Sequence, residues 1–170
     1  VPPFPADEFT KIVEQAFNKS VGELFLKFDQ EPLASASVAQ VHTAVLNDGK
    51  EVVVKVIRPG IERVIRQDTS LLITLARWVE NISPLGKRLH LLEVATDYRL
   101  TIFDELDLKR EAANTSTLRR NFKDSKLLYV PEVHWSHTNQ KVMTTERIYA
   151  TPVTNLDVLS AQNVDFRKLA

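Results

Sequence analysis

One residue constrains this chain more than any other. Lys55 is the only charge inside the apolar run Val52-Val53-Val54-Lys55-Val56-Ile57. Strand alternation puts Val52, Val54 and Val56 on one face and Val53, Lys55 and Ile57 on the other. An ammonium among apolar neighbours must reach water along its stem, pair with an anion, or give up its charge, because burying it alone is costly. Just upstream, Asn47-Asp48-Gly49 predicts a hairpin with a tight primed turn. The strand leading into it runs through Val38, Val41 and Val45, behind the small-residue run Ala34-Ser35-Ala36-Ser37.

Two further features bear on Lys55. Small side chains at Ala34–Ser37 let backbone N–H groups approach an anion, the physics of glycine-rich phosphate loops. Alanine resists the positive φ of a true glycine nest, and the plain alternative is a small-residue turn before a strand. Downstream, Leu108, Ala112, Thr115, Leu118 and Phe122 recur at helical spacing, and Glu111 falls within their stripe. Glu111 and Lys55 would relieve each other as an ion pair, or both would sit at the sheet edge in water. Asp107 stands one turn before Glu111 on the same helical face, whereas Glu105 points elsewhere. The two acids are either a solvated face or a polar site completed by another segment or a metal.

The chain has 170 residues, 44% of them hydrophobic, enough for one domain with its own core. Basic and acidic residues both number 22, which argues against nucleic acid or a membrane surface as a broad partner. The absence of cysteine excludes disulfides and thiolate metal sites. His42, His90, His134 and His137 show no helical pairing, and no metal site is expected. No apolar run reaches the roughly 18–20 residues of a membrane helix.

In order, an amphipathic helix follows Pro5 and ends near Asn18 to Gly22, and a strand at Leu24–Asp29 is broken by Gln30-Glu31-Pro32. After the hairpin, Arg58-Pro59-Gly60 stops the return strand. One helix is predicted over Ile61–Asn81, stopping at Ser83-Pro84-Leu85-Gly86, and a second long one over Leu91–Phe122, with room for a kink near Asp104. Strands at Glu132–Ser136 and Lys141–Ile148 come next, then a tail with a short helical piece. Asp165–Ala170 reads as a capped helix cut short. With Val1 in place of an initiator methionine, the chain reads as a piece of a longer protein. The sum is an α+β domain on an antiparallel sheet of about five strands.

Small-residue loop, hairpin, strand lysine about 20 residues later, helical glutamate and two more strands is the layout of the ATP-binding lobe of protein kinases. The segments PLASASVAQVH, EVVVKVIRP, DELDLKREAAN, LRRNF and YVPEV resemble the UbiB-type atypical kinase family, ubiquinone-biosynthesis kinase-like proteins, and its bacterial members above all. The resemblance covers about Leu33 to Val153. It implies an N-lobe over residues 1–153, with 61–81 a family insertion and 154–170 leading out of the hinge into the C-lobe. It also implies ATP or ADP held by Ala34, Ser35, Ala36, Ser37, Val38 and Lys55, with Glu111 holding Lys55. Thr145, Glu146 and Ile148 fall at the gatekeeper and hinge. Glu105 and Asp107 match the E-x-D motif that engages a K-x-G-Q segment, which would precede Val1. Mg²⁺ is expected only in the full-length protein, and this chain alone is expected to be inactive without a catalytic-loop aspartate and a metal-binding aspartate. Implied partners are ubiquinone-biosynthesis proteins or lipid precursors, and the implied location is the cytoplasmic face of the bacterial inner membrane, reached through segments absent here. The rival reading is a kinase-like docking module that uses no ATP. A plain structural domain with Lys55 exposed and unpaired is a third.

Overall fold

Alternation along the central strands sorts the molecule into two half-cores. The structure is a computed structural model that describes residues 2–162 and 166. Four antiparallel strands run in the order β1 (Phe25–Ser35), β2 (Ala39–Leu46), β3 (Glu51–Ile57) and β4 (Val142–Glu146). Val52, Val54 and Val56 are fully buried on the back face, with Ala44, Leu46 and Val142. Helix α1 (Ala6–Phe17) lays Phe9 and Val13 onto them. On the front face Ala39, Ile57 and Met143 meet Leu108 and Ala112 of helix α6 (Leu108–Asn121). Lys55 lies on this second face, paired across the ladder with Val41 and Met143.

The α+β antiparallel architecture is the expected one, with differences of detail. Glu132–Ser136 is not a fifth strand: Val133 makes an isolated bridge to Thr145, and Trp135–His137 form a 3₁₀ turn. Gln30-Glu31-Pro32 does not end β1. That strand runs on through register shifts to Ser35, because at the sheet edge the missing proline N–H is no loss. The hairpin turn is not primed. Gly49 alone takes a positive φ, 85°, while its N–H donates to the Leu46 carbonyl and Lys50 N–H bonds Asp48. That is a type I turn closed by a left-handed glycine.

The leading helix is two pieces, α1 and the short α2 (Val21–Leu24), separated at Asn18, whose φ is 52°. Helix α3 spans Ile61–Ile82 after Gly60, φ 73°. Ser83-Pro84-Leu85-Gly86 does not simply stop it: Ser83 caps a further helix, α4 (Pro84–Leu89). The long helix expected over Leu91–Phe122 is two helices, α5 (Leu91–Asp104) and α6, divided at Asp107. Helix α5 packs along α3, with Glu80 accepting the Leu92 N–H. A last helix, α7, covers Leu156–Ala161. The helix expected from Asp165 lies outside the described residues save Phe166.

Candidate functional site

Register builds the site. Ala34 pairs with Val41, and Val41 with Lys55, so these three residues form one cross-strand row beside the hairpin tip Ala36-Ser37-Val38. Ala36 N–H closes that tip on the Ala39 carbonyl at 2.9 Å. Among the described residues, positive φ outside glycine occurs only at Asn18 and His90. The loop therefore turns without the left-handed backbone that a glycine nest requires. Ala36 and Ser37 are exposed, while Val38 leans onto the front core.

Helix α6 brings the anion. Its first turn is fixed to the sheet twice: Leu108 N–H donates to the Gln140 carbonyl at 3.0 Å, and Leu108 and Ala112 are fully buried. One turn on, Glu111 reaches Lys55, whose Nζ lies 2.7 Å from both carboxylate oxygens. The side chains keep 32% and 40% exposure, so the pair is half in water and its net stabilisation is modest, about 1 kcal/mol or less. An ammonium has three donors. Two bonds to Glu111 leave one for a further acceptor. The alternative of two separate charges at the sheet edge is thus not what the fold adopts.

Asp107 stands one turn before Glu111, its carbonyl accepting the Glu111 N–H at 3.2 Å, but its side chain is turned to another use. It caps α6, its Oδ1 accepting from Lys109 N at 3.0 Å and Arg110 N at 3.3 Å. Glu105 is exposed at the end of α5 and lines, with Asp104, Arg110, Glu111 and Asn114, a cleft of about 530 Å³. The apolar stripe is real at Leu108 and Ala112 and fades below, Leu118 and Phe122 being exposed.

On β4, Thr145 pairs with Val53 and so shares the Lys55 face. Glu146 follows, and its side chain is committed: both oxygens accept from Tyr129 Oη at 2.6 and 2.7 Å, and one accepts from Glu132 N. The Tyr129 hydroxyl first, then the Glu132 N–H and Arg119, hold the Glu146 carboxyl below its usual range against the effect of burial. Ile148 lies past the strand end, exposed. Periodicity gave no sign of Tyr129 and Arg119, nor of Arg58, whose guanidinium reaches back to the loop. These contacts span loops.

Of the expected phosphate donors, the Lys55 ammonium and the exposed Ser37 lie open, whereas Ser35 falls in the back-face row with Gln40 and is held by Arg58, and the Ala36 N–H is spent on the Ala39 carbonyl. Among the described residues no three His, Cys, Asp or Glu side chains converge to hold a metal ion.

The whole chain, residues 1–170, matches the model of the ABC1 atypical kinase-like domain. It belongs to that family. Similar proteins include the "Probable protein kinase UbiB" of Cellvibrio japonicus (strain Ueda107), 63% identical over all 170 residues, and that of Azotobacter vinelandii, 53% identical. The chain spans 31% and 32% of their lengths. A similar solved structure is the complex of Rv3197 with erythromycin from Mycobacterium tuberculosis. Its TM-score is 0.75 at 29% identity, over 91% of this chain and 38% of that one. The α+β fold is shared with that solved structure, and the UbiB-type resemblance read from the motifs agrees with the family found.

Proposed function

We propose that this chain is the ATP-binding lobe, residues 1–153 with the hinge exit beyond, of a kinase-like phosphotransferase or ATPase that supports ubiquinone biosynthesis. The observation that carries the reading is the Lys55–Glu111 pair, 2.7 Å to each oxygen, on the same cross-strand row as Ala34 and next to the alanine-rich tip. Glu111 fixes the ammonium, and its remaining donor meets an α- or β-phosphate oxygen of ATP or ADP. Ser37 offers a hydroxyl and the loop backbone approaches where side chains are small, while Ser35 serves by holding the loop through Arg58. Thr145 bounds the adenine side; the Glu146 N–H already donates to the Glu132 carbonyl at 2.9 Å, so the Glu146 carbonyl and the backbone of Ile148 past the strand end are the groups proposed for the base. Phosphoryl transfer depends on positioning and charge neutralisation. Of these, the present residues supply the positioning. Mg²⁺ would supply charge neutralisation in the complete protein and is assigned no ligand here, so the chain alone is proposed to be inactive. Glu105, in the cleft beside Glu111, is the better placed of the two E-x-D acids for a regulatory segment, because Asp107 is occupied as a cap.

No helix among the described residues is long and apolar enough to cross a membrane. A place on the cytoplasmic face of the inner membrane, and partners among ubiquinone-biosynthesis proteins or lipid precursors, are proposals for the whole protein from the resemblance. The docking-module reading has one observation in its favour: Leu71, Leu75, Trp78 and Ile82 of α3 are exposed. Binding of ADP and ATP to the intact protein and its Lys55→Met variant separates the two. The nucleotide reading expects affinity to fall at least about tenfold, the loss of one charge-assisted contact to phosphate. Equal affinity and equal ATP turnover in both proteins would leave the docking module standing.

A further inference from the structure

Strand β3 stops where Pro59 can no longer donate to the ladder, and the last residue before it is Arg58. Its N–H adds one more rung, bonding the Val38 carbonyl at 2.9 Å. Its side chain then turns along the loop. Nε donates to the Ala36 carbonyl at 2.8 Å, and Nη2 donates to Ser35 Oγ at 2.6 Å and to the Pro2 carbonyl at 2.8 Å. The guanidinium also stands 5.6 Å from the Phe4 ring centre. Every polar partner is a neutral oxygen. Among the described residues no carboxylate comes within ion-pair distance of Arg58.

Two consequences follow. A loop of alanines cannot hold itself by a left-handed nest, and here a rigid, planar donor fork on the neighbouring strand does so instead. The Ser35 hydroxyl accepts from the same fork, which ties the end of β1 to the end of β3 on the back face. Because its contacts are all neutral, Arg58 keeps its full positive charge next to the tip. Lys55, three residues earlier, lies on the opposite face of the sheet and is paired with Glu111, so the two cations hold the loop region from its two sides.

We propose that Arg58 is the positioning residue of the alanine-rich loop: from the back face of the sheet, opposite Lys55, it fixes the Ser35–Ala36 tip so that the loop backbone is held over the phosphates of a nucleoside di- or triphosphate. The proposal rests on the nucleotide-binding reading and adds to it a residue that acts on phosphate affinity and leaves base affinity alone.

The test compares adenosine, ADP and ATP binding by calorimetry to the intact protein and to Arg58→Gln, Ser35→Ala and Phe4→Leu. Arg58→Gln should bind adenosine as the parent does but lose about tenfold or more of the gain that the phosphates confer. Ser35→Ala should lose part of the same gain, and the double variant should lose less than the two losses combined. Phe4→Leu, which keeps the loop bonds, should lower the melting temperature and leave the gain intact. An undiminished phosphate gain in Arg58→Gln overturns the proposal, and so does a proportional loss of adenosine affinity, which marks a general scaffold role. Should Arg58→Gln fail to fold, an unchanged gain in Ser35→Ala overturns it instead. Parent protein that binds none of the three nucleosides and nucleotides sinks the underlying nucleotide reading, a result distinct from the others.

Discussion

Single residues show how tightly this small sheet is committed. His42 is fully buried on the back face between Phe9, 4.0 Å away centre to centre, and Phe28, at 5.4 Å. Its Nδ1 pairs with the Asp29 carbonyl and its Nε2 with the Gln40 amide, both at 2.8 Å, an arrangement that suits neutral imidazole protonated at Nδ1. A second proton would point at an amide that already donates. Burial pushes the His42 pKa down, and it does the same to His137, half-buried against the Leu24 carbonyl. The unfolded chain therefore binds protons that the folded chain refuses. Stability is fully present above the ordinary histidine value of about 6.5 and is lost as the pH falls below it toward the depressed folded values. Melting temperature should drop between about pH 7 and pH 5, and His42→Gln should flatten that slope. A His42→Gln profile as steep as the parent's would place the titration elsewhere. The pairing of Lys55 with Glu111 was legible in sequence because both charges interrupt apolar patterns. The roles of His42, Arg58 and Tyr129 were not, since each is defined by a partner on another strand or loop.

Elements were read well where period alone decides and poorly where a side chain competes with the backbone. Helix α3 matches its predicted span within a residue. From Leu91 to Phe122 the apolar pattern persists, so the sequence reads as one helix with room for a kink near Asp104, which is where α5 ends. Asp107 divides it, because an aspartate can satisfy the free N–H groups of a new helix start. Strand β1 likewise outlasts its proline only because it lies at the edge, and edge position is a tertiary fact. The cap makes a prediction that a purely regulatory Asp107 would not share. Asp107→Ala should cost about 1 kcal/mol and lower the melting temperature, whereas Asp107→Asn, an equally good cap, should stay near the parent. If alanine and asparagine prove equally damaging, the carboxylate charge matters and the cap does not. Because Glu111 sits one turn past this cap, Asp107→Ala should also weaken nucleotide binding more than Asp107→Asn does.

For the molecule as a whole, one sheet divides two jobs. The back face is sealed by α1, with Phe9 and Val13 wholly buried, and the front face is sealed only at its lower end, by α6. What remains open is the row from Ala34 to Lys55. Stability is therefore concentrated on the side away from the site. Removing the Phe9 ring should cost about 3–5 kcal/mol, a large part of the 5–15 kcal/mol that holds a domain of this kind together. Phe9→Leu, which keeps most of the volume, should cost about 1.5 kcal/mol or less. Urea unfolding measures both. If the two faces are energetically separate, Phe9→Ala protein at low temperature, still folded, binds ADP with unchanged affinity and loses it only in step with the folded fraction. Weaker binding in the fully folded variant would mean that back-face packing sets the register of Lys55 through β3. In that case the valines that alternate with the lysine would belong to the site as well as to the core.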